Sequence, residues 1–252
     1  MTATGDRRDP ARVRIIGPGR AGASLAVALT TAGWAVAPLL GRHDDVSAAA
    51  DDVDLVVVAT PDAAVPGVAR SVEPVASTVV AHLAGSLGLR ALAPHARRAA
   101  VHPLVALPTP ELGAQSLVGA WFAVAGDPMG RAMVDALGGR WFALDDADRA
   151  TYHAAAVVAS NHLVALLGQV ERLGDAVGVP FEAYLDLARA TIGNVAALGP
   201  ARALTGPAAR GDEATIRRHL RALPADERKA YRALADAARR LARDARGQDH
   251  GS

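Results

Sequence analysis

The sequence predicts a two-domain α/β protein: a doubly wound parallel sheet over residues 1–147, followed by an all-helical C-terminal domain over residues 148–252. Three observations carry this expectation. Short apolar runs alternate with helical stretches from residue 13 to residue 145. Several of these runs are apolar throughout rather than at every second position, as strands covered on both faces are. Past Asp145 the β-type runs cease. Strand, helix and strand in repetition imply right-handed crossovers.

The predicted strands are VRIIG (13–17), AVAPLLG (35–41), DLVVVAT (54–60), TVVAHLAG (78–85), AAVHPL (99–104), WFAVAG (121–126) and RWFALD (140–145). Gly33, Pro61-Asp62, Pro94 and Gly138-Gly139 supply breaks between them. The stretch from Ala147 to Gly178 reads as one long helix, ended by Gly178 and Pro180. Around residues 154–167 it is apolar on every side, which predicts burial on all faces. A second helix covers about 181–198, and Asp212 is suited to N-cap the next. The last, about 225–243, carries Tyr231, Leu234, Ala235, Ala238, Leu241 and Ala242 on one stripe.

Composition narrows the function. Basic and acidic side chains number 27 and 26 and nearly cancel, against a nucleic-acid protein that needs a broad positive field. Cysteine is absent, which excludes disulfides, thiolate nucleophiles and cysteine-based metal sites. With no signal-peptide-like start and no long uninterrupted apolar span, a soluble cytoplasmic protein without a membrane partner is expected. The only lysine is Lys229; every other long cation is arginine, whose charge is fixed.

Residues 17–22, GPGRAG, follow the first strand and open a helix, the setting in which G-x-G-x-x-G binds a dinucleotide. Gly17 permits the turn, Gly19 lets the backbone approach a pyrophosphate, and Gly22 allows close helix–strand packing. The amides of Arg20 and Ala21 open the helix, and the Arg20 side chain either reaches the phosphates or is solvated. Arg42 lies 20 residues past Gly22, where an NAD site would carry an acid. Arg42 with His43 suits a 2′-phosphate, so NADP is expected over NAD, with Asp44 and Asp45 as the competing acids. A deazaflavin would leave Arg42 without its phosphate.

Ligands of such sheets lie at the carboxyl ends of the strands. Those ends offer Thr60 and Pro61, which shape the wall beside the cofactor or simply turn the chain, Ser86 as a substrate donor or a helix cap, and His102 facing the pocket or bonding a carbonyl. His82, inside its strand, reads as a satisfied core histidine. On the long helix Tyr152, His153, Ser160, Asn161 and His162 need partners or line a cavity. His153 is the candidate proton relay there.

The segments HPL (102–104), YHAAAVVASN (152–161) and LTGPAARGD (204–212) resemble the Rossmann-like DUF2520 family. The arrangement also resembles the superfamily of 6-phosphogluconate, β-hydroxyacid, ketopantoate and pyrroline-5-carboxylate reductases. The resemblance implies a Rossmann-type domain, NADP-dependent oxidoreduction, ketopantoate-like substrates among the candidates, and a homodimer through the helical domain. It further implies Thr205 and Arg210 as substrate ligands with Asp212 orienting Arg210, unless that loop only connects helices. β-Hydroxyacid and ketopantoate enzymes use a helical lysine four residues before an asparagine as the acid. Here Asn161 is present and position 157 is valine, so the proton must come from His153, His102, Tyr152 or water. The expected activity is hydride transfer from NADPH to a small carboxylate-bearing carbonyl or imine, with His153, His102 and Asn161 catalytic. The alternative is a non-catalytic NADP-binding sensor or scaffold.

Overall fold

The computed structural model describes residues 10–249 and divides into two compact units, 1–160 and 161–252 by chain position. The first contains a seven-stranded sheet in the order β2-β1-β3-β4-β5-β6-β7. Its strands are β1 (Arg12–Ile16), β2 (Ala35–Val36), β3 (Leu55–Val58), β4 (Val79–His82), β5 (Arg98–Pro103), β6 (Trp121–Gly126) and β7 (Arg140–Ala143). The helices of this unit are α1 (Arg20–Thr31), α2 (Val65–Ser71), α3 (Pro110–Leu117), α4 (Met129–Ala136) and α5 (Arg149–Val157).

The apolar strands are covered on both faces, as a doubly wound sheet requires. Val13, Ile15, Leu55, Val57, Val79, Ala81, Ala99 and Val101 pack on one side with Leu25 and Leu29 of α1, Leu117 of α3 and Met133 of α4. Ile16, Val56, Val58 and Val80 pack on the other with Val65 and Ala69 of α2 and with Leu92. This period-2 division puts His82 and His102 on the second face.

The sheet departs from an all-parallel one at a single joint. Strands β1 to β5 are parallel, but β6 runs antiparallel to β5, and β7 is parallel to β6. The link between β5 and β6 turns the chain back to the edge it has just left. Its helix α3 packs on α1, and the Leu104 amide donates to the Trp121 carbonyl at 2.8 Å. The predicted second strand is also shorter than its apolar run, with Leu40 adding only an isolated bridge to Ile16.

The long helical stretch is interrupted. Between α5 and α6 (Leu163–Asp175) residues Val158–His162 form a π-helical turn. Ser160 there bonds the Ala156 carbonyl at 2.7 Å. The expected burial on all faces is not observed. Val158 and Val164 are 58% and 70% exposed in this chain, because an all-round apolar helix has no element of its own chain to cover every side.

The second unit continues with α7 (Phe181–Leu198), the single turns α8 (Pro200–Ala203) and α9 (Pro207–Arg210), α10 (Glu213–Ala222) and α11 (Arg228–Asp249). Asp212 caps α10 as its sequence position suggests, accepting from the Thr215 amide at 3.0 Å. Glu227 ties α6 to the start of α11. Its carboxylate meets Arg172 at 2.7 Å and its carbonyl accepts from Gln169 at 3.1 Å.

The contact that seats α1 on the sheet is testable. A Cβ on Gly22 would collide with the Gly17 carbonyl oxygen and stand 3.2 Å from the Ala59 Cβ, whereas one on Gly19 meets nothing within 4 Å. Gly22→Ala is therefore expected to lower stability by at least about 2 kcal/mol, and Gly19→Ala by less than about 1 kcal/mol. Urea unfolding of the two variants beside the parent checks this; equal losses would refute the packing role given to Gly22.

Candidate active site

The glycine-rich loop has the form that its sequence suggests. Gly17 sits at φ +111°, and a Cβ there would lie 2.7 Å from the Ala59 carbonyl oxygen, so β1 and β3 approach as only glycine allows. Gly19 is the N-cap of α1, has no side-chain cap, and faces open space. No acidic residue lies in the first turn of the helix. The first-turn amides thus point unshielded toward the carboxyl edge of the sheet, the electrostatic setting for a diphosphate. Arg20 is exposed beside them, and Pro61 is exposed beyond β3. Thr60, next to that strand, has a buried hydroxyl with no hydrogen-bond partner among the described residues.

Beyond β2 the competing acids are already engaged. Asp44 accepts from the Gly41 amide at 2.6 Å, and Asp45 from the Ser47 amide at 2.9 Å, which holds the Asp45 carboxyl below its usual range. Arg42 and His43 are exposed in the same loop.

A second group assembles around the ends of β4 and β5. His102 Nδ1 and the Tyr152 hydroxyl are 2.7 Å apart, with the rings edge to face. His153 approaches His102 from the next position of α5, with 5.7 Å between ring centroids. The two histidines that the sequence left unconnected therefore share one pocket. Gly85 makes room for both. A Cβ there would collide with His153 Nδ1 and lie 2.9 Å from His102 Nε2. Among the described residues His153 Nδ1 is buried without a partner.

Burial, more than the neighbouring charges of His153 and Arg149, pushes the His102 pKa down to about 4, against an opposing pull from Asp62. The imidazole is neutral at physiological pH, with one ring nitrogen protonated. Burial raises the Tyr152 phenol, and the Arg149 charge pulls it back down. His82 departs from a satisfied core residue: Nε2 lies 3.3 Å from the Gly88 carbonyl, while Nδ1 has no partner among the described residues. Its pKa is also lowered by burial. Ser86 begins no helix; its hydroxyl donates to Asp62 at 2.7 Å.

Sequence reasoning missed Arg149. This side chain is 1% exposed, and its Nε donates to Asp146 at 3.0 Å. Its charge acts on His82, His102 and Tyr152. The signal was available: positions 149, 152 and 153 share one face of a helix. Asp146 also accepts from the Leu89 amide at 3.0 Å, tying the start of α5 to the segment after β4. Asn161, Thr205 and Arg210 belong to the second unit. Asn161 lies in the π turn, and Thr205 and Arg210 are exposed around α9. Asp212 spends its carboxylate on the α10 cap, with Arg210 a minor influence on it. Among the described residues no group of three or more His, Asp or Glu is placed to hold a metal.

The His102 shift has a consequence for stability. Between about pH 6.5 and pH 4 the unfolded histidine binds a proton that the folded one refuses, so acid favours unfolding. The contribution is complete above pH 6.5 and is lost as pH falls toward 4, on the order of 2 kcal/mol. Urea midpoints across this window should fall for the parent and flatten for His102→Phe; parallel curves would contradict the neutral buried imidazole.

Comparison with solved structures gives the fold a context. A Bacteroides fragilis protein, whose NADP oxidoreductase activity is itself an inference, aligns at TM-score 0.74 and 22% identity over 92% of this chain and 99% of its own. A Thermotoga maritima protein aligns at TM-score 0.70 and 21% identity, over 93% and 99% of the two chains. The pyrroline carboxylate reductase of Plasmodium falciparum, solved with NADP bound, aligns at TM-score 0.60 and 12% identity over 93% and 99%. At these identities the likeness establishes a Rossmann-like fold with a helical C-terminal region. Comparison with curated protein sequences finds no match. Residues 121–238, which include both the YHAAAVVASN and LTGPAARGD motifs, match the model of a domain of unknown function, DUF2520.

Proposed function

We propose that the chain is an NADP-dependent reductase of small carboxylate-bearing carbonyls or imines, 2-oxo acids such as ketopantoate included. The observation that carries this reading is the Tyr152–His102 hydrogen bond, 2.7 Å long, at the sheet edge that also holds the glycine-rich loop. Bound NADPH would supply the hydride. The residues fit that cofactor. Gly19 faces open space at an uncapped helix N-terminus, and Thr60 has an unpartnered buried hydroxyl. With Asp44 and Asp45 committed to loop amides, Arg42 and His43 are left for a 2′-phosphate, which favours NADP over NAD.

The protein's own part is to deliver a proton. A neutral His102 carrying its proton on Nδ1 donates to the phenol oxygen, leaving the Tyr152 O–H to donate to the substrate oxygen or nitrogen. The phenolate that forms is stabilised by that same Nδ1–H and by the positive charge of Arg149. His153, 5.7 Å from His102 between centroids, is the next group through which a proton can return.

Calorimetric titration with NADPH and NADH, and a screen for NADPH consumption with 2-oxo acids and cyclic imines, test the reading. NADPH should bind at least tenfold more tightly than NADH, and Arg42→Asp should remove that preference. Tyr152→Phe should lower kcat by roughly 10²–10⁴-fold with cofactor affinity kept. Tight NADPH binding without turnover of any substrate would instead identify a sensor.

A homodimer through the helical unit is part of the same proposal. No residue of α7 is buried, and Leu187, Ile192 and Leu198 are 63%, 55% and 45% exposed. Leu187, Val195 and Leu198 fall on one stripe of this helix. The stretch Asp146–Asp175 is also long and apolar enough to cross a membrane by length and composition. Its first turns are instead tied to the first unit by Asp146, which accepts from the Leu89 amide, and by Tyr152–His102, which favours a protein cover. Light scattering should give twice the chain mass, and Leu187→Glu with Leu198→Glu should give a folded monomer; a monomeric parent would overturn it.

A further inference from the structure

Arginine presents five N–H donors, and a buried guanidinium normally has them satisfied. Arg149 does not. Among the described residues it is the largest fully buried side chain, its Nε is held by Asp146 at 3.0 Å, and both Nη1 and Nη2 are buried with no hydrogen-bond partner. Leaving two charged amino groups unpaired away from water is costly, and one carboxylate on Nε does not compensate the far side of the group. The exposed rim of that ion pair belongs to Asp146, at 47%, against 1% for Arg149.

The location gives the unpaired edge a meaning. Arg149 precedes Tyr152 by one helical turn, and its charge is felt at His82, His102 and Tyr152, the groups around the ends of β4 and β5. The diphosphate cradle is built elsewhere in the sheet, from Gly17, Gly19 and the start of α1. Both histidines near Arg149 have depressed pKa values and are neutral at physiological pH. Asp146 answers the charge of Arg149 only through Nε, so beside the neutral imidazoles the Nη1 and Nη2 groups still lack an acceptor among the described residues.

We propose that Nη1 and Nη2 of Arg149 are the anchor for the substrate carboxylate, gripping its two oxygens in the parallel geometry that a guanidinium offers. This rests on the reductase reading and sharpens it. The substrate's carboxylate is held one helical turn from the phenol that protonates its carbonyl or imine, and neutral analogues are rejected because they leave the guanidinium unpaired.

Binding, separate from turnover, tests the anchor. Small 2-oxo acids and cyclic imino acids are titrated calorimetrically into the full-length protein, with and without NADP⁺, beside their uncharged carboxamides. At least one acid should bind the parent at least tenfold more tightly than its amide. Arg149→Met should erase that preference, Arg149→Lys should keep part of it, and His102→Phe should keep it. If every acid binds no better than its amide, or if Arg149→Met retains the preference, the anchor is wrong. The comparison within the parent decides even if neither Arg149 variant folds. Inorganic phosphate that binds more tightly than every acid, and loses that binding in Arg149→Met, would also overturn the carboxylate assignment. The reductase reading fails separately: discrimination between acid and amide with no NADPH consumption removes the reaction and leaves the anchor standing.

Discussion

The parallel register of β1, β3, β4 and β5 is the constraint on which the rest of the first unit depends. It aligns Ile16, Val58, His82 and Ala100 in one row across the sheet. Whatever follows these residues by one to four positions must therefore emerge at a common edge. That edge receives the Gly17 turn, Thr60, Gly85 and His102 from four separate stretches of sequence. Strand alternation adds the second condition, since even-numbered positions of β4 and β5 face away from α1 and α3. His82 and His102 consequently share a side, and α5 returns over it with Tyr152 and His153. The reversal at β6 does not disturb the arrangement, because it lies beyond β5.

Burial gives the histidines their chemical state. Desolvation is the largest influence on both His82 and His102, and it exceeds the pull of Asp62. Asp62 is also partly occupied by the Ser86 hydroxyl at 2.7 Å. A neutral His102 can present either tautomer to Tyr152, and that freedom lets a proton move through the pair without creating a second buried cation beside Arg149.

The sequence made the glycine loop legible because each of its glycines answers a separate steric demand, and the structure meets those demands at Gly17 and Gly22. It made α7 and the Asp212 cap legible because periodicity and capping are local. Arg149 was not legible in the same way. An arginine at the start of a helix reads as solvated, and nothing local to the helix announces that this one is buried. The Asp62–Ser86 bond spans 24 residues and has no local signature. Nor does the reversal at β6, because strands of either direction carry the same apolar pattern when both faces are covered. The apolar surround of residues 154–167 was visible, but it reports that a cover is needed and not which chain supplies it.

The missing lysine links these points. A helical lysine in a reductase pocket combines two properties, a positive charge and a transferable proton, since its pKa can be brought toward neutrality by burial. Arginine has the first property without the second. Under the proposed reaction the two are carried by different residues of α5, with a fixed charge on Arg149 and a movable proton on Tyr152 one turn later. Such a division needs a partner that orients the phenol, and His102 provides it across the sheet at 2.7 Å. It also needs part of the cation's donor set to remain unpaired. Asp146 contacts only Nε, so the buried Nη1 and Nη2 donors stay available for the proposed carboxylate. On this reading the pocket replaces one titrating cation with a phenol, a neutral imidazole and a permanent charge, and its pH response follows His102 and Tyr152 rather than an amine.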